Sequence, residues 1–111
     1  MLPKKYRLPK EKFQYVYKNG IKLRGRFGML VYLKDSSVES PKLGIVVSKK
    51  IGNAVRRHRM TRLVRNVFTD NVANVENHKL PALLQYIAFE FCDDYSELKK
   101  ELDKQLEKAL R

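Results

Sequence analysis

The sequence predicts a small α+β protein, a two-layer sandwich of one short sheet with helices against it, ordered helix, strand, strand, helix, strand, helix. Three observations carry that expectation. Apolar residues recur at helical spacing over 53–69 and 96–110. Short runs rich in β-branched and aromatic residues stand at 27–33, 42–48 and 85–91, between turn-forming stretches. At 111 residues the chain suits a single domain, 1–111, with a feasible but shallow core.

Residues 9–19 read as a short helix. Pro9 suits a first turn and Gly20 the position after the last, and Phe13, Val16 and Tyr17 fall at helical spacing. Asn19-Gly20 also fits a hairpin turn, but the spacing before it favours a helix end. Phe27–Leu33 reads as a strand, Asp35–Pro41 as a turn, and Lys42–Ser48 as the next strand and its antiparallel hairpin partner. Gly52 then breaks the strand and Asn53 caps a helix over 53–69. Met60, Leu63, Val64, Val67 and Phe68 form its apolar stripe. Residues 70–81 read as loop and 85–91 as a strand. Residues 96–110 read as an amphipathic helix with Leu98, Leu102, Leu106 and Leu110 on one side, capped by Asp94 or Ser96. The strand–helix–strand unit from 42 to 91 is the candidate crossover, for which backbone physics favours the right hand.

Charge narrows the function. The chain carries 24 basic and 12 acidic side chains, a formal +12. Such self-repulsion favours a protein that works against a polyanion, of which nucleic acid is the commonest. The charge is also uneven. Residues 1–69 hold 18 basic and 3 acidic side chains, and residues 70–111 hold 6 and 9. One functional face built from the first two thirds is the expectation. Cys92 is the only cysteine, so an internal disulfide and a zinc cluster built on thiols are both excluded. It reads as a small buried hydrophobe near a strand end. No apolar run reaches membrane-spanning length, and no secretion signal follows Met1-Leu2-Pro3-Lys4-Lys5, so a cytoplasmic address is expected.

The most informative stretch runs from Ser48 to Arg65, with two lysines and five arginines. From Ser40 to Thr69 there is no Asp or Glu. On a helical wheel His58, Arg59, Arg62 and Arg65 share a sector opposite the Met60–Phe68 stripe, so pairs within the helix cannot neutralise that face. Guanidinium forks match phosphate oxygens. Lys49, Lys50, Asn53, Arg56, Arg57, His58, Arg59, Arg62 and Arg65 are the candidate RNA-binding residues. A merely solvated basic face is the alternative.

Ser48-Lys-Lys-Ile-Gly-Asn-Ala-Val55, followed by Arg57-x-Arg59-x-x-Arg62-x-x-Arg65, resembles the signature of the bacterial ribonuclease P protein subunit family. Tyr6-Arg7-Leu8, Phe13, Val16, Tyr17 and Gly20 resemble that family's opening helix, so the likeness covers nearly the whole chain. Two positions depart from it: His58 stands where the family's triplet is Arg-Asn-Arg, and Thr61 where Lys is usual. Histidine still donates a hydrogen bond, whereas losing the Lys removes about one phosphate contact. The resemblance implies a left-handed crossover. It also implies that the chain binds the catalytic RNA of ribonuclease P and the 5′ leader of precursor tRNA, as accessory subunit of an endoribonuclease. The RNA, holding Mg²⁺, would hydrolyse the phosphodiester that releases the leader.

In that family the first helix and the sheet line a cleft for single-stranded leader, where aromatic rings stack on bases. The resemblance therefore makes Phe13, Tyr17, Met29 and Val31 the candidate leader cleft, with Phe27 or Tyr32 as the strand aromatic. Read without it, all four are core residues. No catalytic residue is expected on this chain. Gly25-x-x-Gly28 is too sparse for a phosphate loop, His58 and His78 lack metal-ligand spacing, and Asp93 and Asp94 read as caps of the last helix. Two rivals remain: a general RNA- or ribosome-binding module, and a peripheral membrane protein using the last helix. Glu97, Glu101, Asp103 and Glu107 on that helix would be repelled by an anionic bilayer.

Overall fold

The computed structural model describes residues 4–35, 37–38, 40–77 and 82–110. A single turn at Lys10–Lys12 leads into α1 (Phe13–Asn19). The chain then forms β1 (Ile21–Arg24), β2 (Gly28–Lys34), β3 (Lys42–Val46), α2 (Ala54–Asn77), β4 (Ala82–Ala88) and α3 (Tyr95–Leu110). The expected elements thus appear in their expected order, joined by a strand, β1, that the sequence does not announce. α2 also runs eight residues beyond 69, through a stretch expected to be loop; 78–81 lie outside the described residues.

The sheet order is β1-β2-β4-β3. β2 pairs antiparallel with β1 and with β4, while β3 pairs parallel with β4. The expected hairpin between 27–33 and 42–48 therefore does not form; β4 lies between them. The reason is burial. β4 presents Leu83 and Ile87 to one face and Ala82, Leu84, Tyr86 and Ala88 to the other, so it gains from cover on both sides. β1 carries Lys22 and Arg24 and β3 begins at Lys42, and charged strands belong at edges. Because β3 and β4 run parallel, the chain between them must cross over, which α2 does.

Alternation splits the core in two. Leu30, Leu84 and Tyr86 face α2 and α3, meeting Met60, Val64, Val67, Phe68, Leu98, Leu102 and Leu106. Met29, Val31 and Leu83 face the other way, under Leu8 and Val16 of the α1 segment. Cys92 lies in the larger cluster, where burial pushes its thiol pKa up.

The acidic side chains of the last third hold this architecture. Asp94 caps α3, accepting from Glu97 N at 3.2 Å. Asp103 accepts from Asn71 of α2 at 2.7 Å and pairs with Lys99 at 3.0 Å. Asp70 accepts from Tyr95, whose pKa is pushed up to about 12 by that bond. Glu101 accepts from the backbone N–H groups of Arg26 and Phe27, fixing the β1–β2 turn.

Candidate nucleic-acid interface

The basic stretch folds as a turn followed by a helix. Ser48 Oγ accepts from Lys50 N at 3.3 Å, opening a tight turn over Lys49–Ile51 that buries Ile51 and exposes both lysines. Gly52 has φ +140°, a conformation few side chains tolerate, which explains glycine between turn and helix. Asn53 Oδ1 then accepts from Arg56 N at 3.0 Å, so its side chain serves as the helix cap. With Met60, Val64, Val67 and Phe68 facing the core, Arg56, His58, Arg59 and Arg62 are thrown outward and exposed.

Three members of the set differ from the sequence picture. Arg59 pairs with Asp93, an acid from outside the helix, so its charge is partly met. Asp93 is thus an ion-pair partner, and Asp94 alone of the two aspartates caps α3. Arg57 is half-buried, with Nε lacking a hydrogen-bond partner among the described residues. Arg65 is half-buried too. It lines a hollow with Thr61, Phe13 and Arg7, between α2 and the α1 segment. Thr61 donates to Arg57 O at 2.9 Å, a short local bond in place of a long cation's reach.

Burial sorts the four residues of the expected leader cleft. Met29 is 4% exposed and Val31 fully buried, both in the cluster beneath α1. Their surface is used in anchoring that helix, because α1 lies over the strand face they share. Phe13 is half-buried in the same cluster, its ring against Gly44, where an added Cβ would come within 2.5 Å of it. Tyr17 alone of the four stands open, 45% exposed. Of the strand aromatics, Phe27 is buried and Tyr32 packs on the α2–α3 side.

Beside Tyr17 the structure brings together residues that the sequence does not single out. Lys22 Nζ lies 4.6 Å from the centre of the Tyr17 ring. Two residues along β1, on the same face, Arg24 lies 5.0 Å from the ring of Phe89, itself 37% exposed. Arg56, at the start of α2, covers Phe91 at 5.3 Å. Rings covered by cations, Tyr17 and Phe89 exposed and Phe91 half-buried, thus lie between α1 and the start of the basic helix. The signal available in sequence was the Lys22/Arg24 alternation of a charged edge strand. Rings offer stacking faces to bases and the cations offer charge to phosphates. Among the described residues no three His, Cys, Asp or Glu side chains converge to hold a metal ion. His58 is exposed and His78 lies outside the described residues.

Fold and surface together define a small α+β protein with a strongly cationic surface. A family model described as Ribonuclease P matches residues 2–110, and the chain belongs to that family, the bacterial ribonuclease P protein components. A ribonuclease P protein component of Macrococcus caseolyticus is 44% identical over 75 residues, 67% of this chain and 65% of that one. One from Staphylococcus carnosus is 34% identical over 111 residues, covering 99% and 91%. The solved RNase P protein of Staphylococcus aureus superposes with a TM-score of 0.75 at 31% identity, covering 99% and 94%.

Proposed function

We propose that this chain binds the catalytic RNA of ribonuclease P through Lys49, Lys50 and the outward arginines of α2, and holds the 5′ leader of precursor tRNA along the ring-and-cation row beginning at Tyr17. The observation that carries the proposal is that row: Tyr17 with Lys22, then Phe89 with Arg24, leading to Arg56. A single strand has unstacked bases and a charged backbone, and the row offers a partner to each. Hydrolysis belongs to the RNA and to Mg²⁺ that the RNA holds. The protein raises affinity for leader-bearing substrate by setting cations between two polyanions. Such work takes place in the cytoplasm; no helix among the described residues is long and apolar enough to cross a membrane.

The test is reconstitution. Purified protein should cleave no precursor tRNA alone at any Mg²⁺ concentration, yet restore cleavage by a bacterial ribonuclease P RNA in low salt. Cleavage that persists in RNA-free protein, or a catalytic RNA indifferent to the protein, would refute this function. Plain binding to many RNAs without stimulation would instead support a general RNA-binding module.

A further inference from the structure

Charge in the last third of the chain is net acidic, yet its acids and bases are not used alike. Among the described residues Asp70, Asp93, Asp94, Asp103 and Glu101 are each bonded within the fold, as above. Lys100, Lys104 and Lys108 are all exposed. They stand four apart, so they form a column about 12 Å long on one face of α3. Like charges at that spacing repel and weaken a helix.

The fold sets this column beside β1 and the turn that follows it. Lys22, Arg24 and Arg26, from β1 and the turn after it, line the same groove as the three lysines. Two carboxylates share the groove, Glu97 and Glu101, and Glu101 is occupied by the turn. Arg26 also approaches Glu90 at 3.8 Å, an exposed pair of small effect. Among the described residues Arg26 and the three lysines, from segments some eighty residues apart, therefore face two acids, while Lys22 and Arg24 border the groove but, paired with Val31 and Met29, turn their side chains to the α1 face. Lys22 and Arg24 also cover Tyr17 and Phe89, so groove and cleft share the β1 edge.

We propose that the groove between β1 and α3 is a second RNA surface, which holds the phosphate backbone of a double-helical RNA segment. The groove's one aromatic, Phe27, is buried, so it offers no stacking platform for a single strand. It also lacks the apolar anchor on which protein interfaces depend, which argues against an acidic protein partner. What remains is a track of point charges one helical turn apart, suited to successive phosphates and indifferent to base identity. This surface lies apart from the α2 face, and it stands whether or not the leader assignment does.

The experiment compares Lys100→Ala/Lys104→Ala with a charge-matched control, Lys18→Ala/Lys34→Ala, in the full chain. Both pairs are exposed, so melting temperatures should hold. The probes are a blunt RNA duplex, a single-stranded RNA and poly-glutamate. The groove variant should lower the salt slope of duplex binding by about 1.8, roughly 0.9 for each lost phosphate contact, and leave single-strand binding largely intact. The control should change the slope little. Equal loss in both variants would reduce the effect to net charge and overturn the proposal, as would an unchanged duplex slope. Loss of poly-glutamate binding with duplex binding kept would assign the groove to an acidic protein instead.

Discussion

Tyr17→Ala and Phe13→Ala should separate two roles that sequence alone leaves merged. The rings sit four residues apart on α1, but one is 45% exposed under Lys22 and the other is wedged against Gly44 and Leu8. Truncating a fully buried Phe costs about 3–5 kcal/mol. Phe13 is only half-buried, so roughly 1.5–2.5 kcal/mol is expected, a drop in Tm of about 5–15 °C. Removing Tyr17 gives up an exposed cation–π contact, at most about 1 kcal/mol. Its effect belongs in binding: one lost stacked base is worth about 1–3 kcal/mol, so affinity for leader-bearing precursor should fall roughly five- to 150-fold. Mature tRNA, which has no leader, should bind the reconstituted enzyme as before. Thermal unfolding of each variant and titration of both RNAs read the two effects separately. The reasoning fails if Tyr17→Ala weakens both RNAs equally, or if Phe13→Ala melts at the wild-type temperature.

Two further outcomes follow from the same contacts. Lys50→Ala/Arg62→Ala should flatten the salt dependence of catalytic-RNA binding, by roughly 0.7–0.9 for each lost contact, with little change in Tm because both side chains are exposed; an unchanged slope would show a merely solvated face. Gly44→Ala should destabilise the protein by about 1–3 kcal/mol, because its Cβ meets the Phe13 ring, and most of that loss should vanish in a Phe13→Ala background, measured as a double-mutant cycle by denaturant unfolding.

Much of the fold was legible because much of it is local. α2 and α3 announce themselves in residues three and four apart, and the basic face of α2 is the complement of its apolar stripe. The Asn53 cap is likewise short-range chemistry, whereas Ser48, read as strand, opens a turn instead. The losses have physical causes. β1 is four residues long, and Lys22 and Arg24 hide it from any apolar pattern. Asn71 looks like a turn residue, but its amide bonds Val67 O and Asp103, and α2 continues through it. β4 begins three residues earlier than the pattern over 85–91 suggests, since a strand buried on both faces has no alternation to fix its bounds.

By itself, then, the sequence determined the kinds of element other than β1, their order and the cationic helix. Tertiary structure decided which strands are neighbours, and so put β4 where a β2–β3 hairpin was expected. It also decided that Met29 and Val31 lie beneath α1 while Tyr17 stands clear, and that Asp93 reaches Arg59. It carried Lys100, Lys104 and Lys108 to the edge that holds Lys22 and Arg24. Periodicity says which face of an element is apolar, because that depends on residues a few positions apart. What covers that face, and which charges meet across the gap, depends on contacts between segments far apart in the chain, and only the packed whole fixes those.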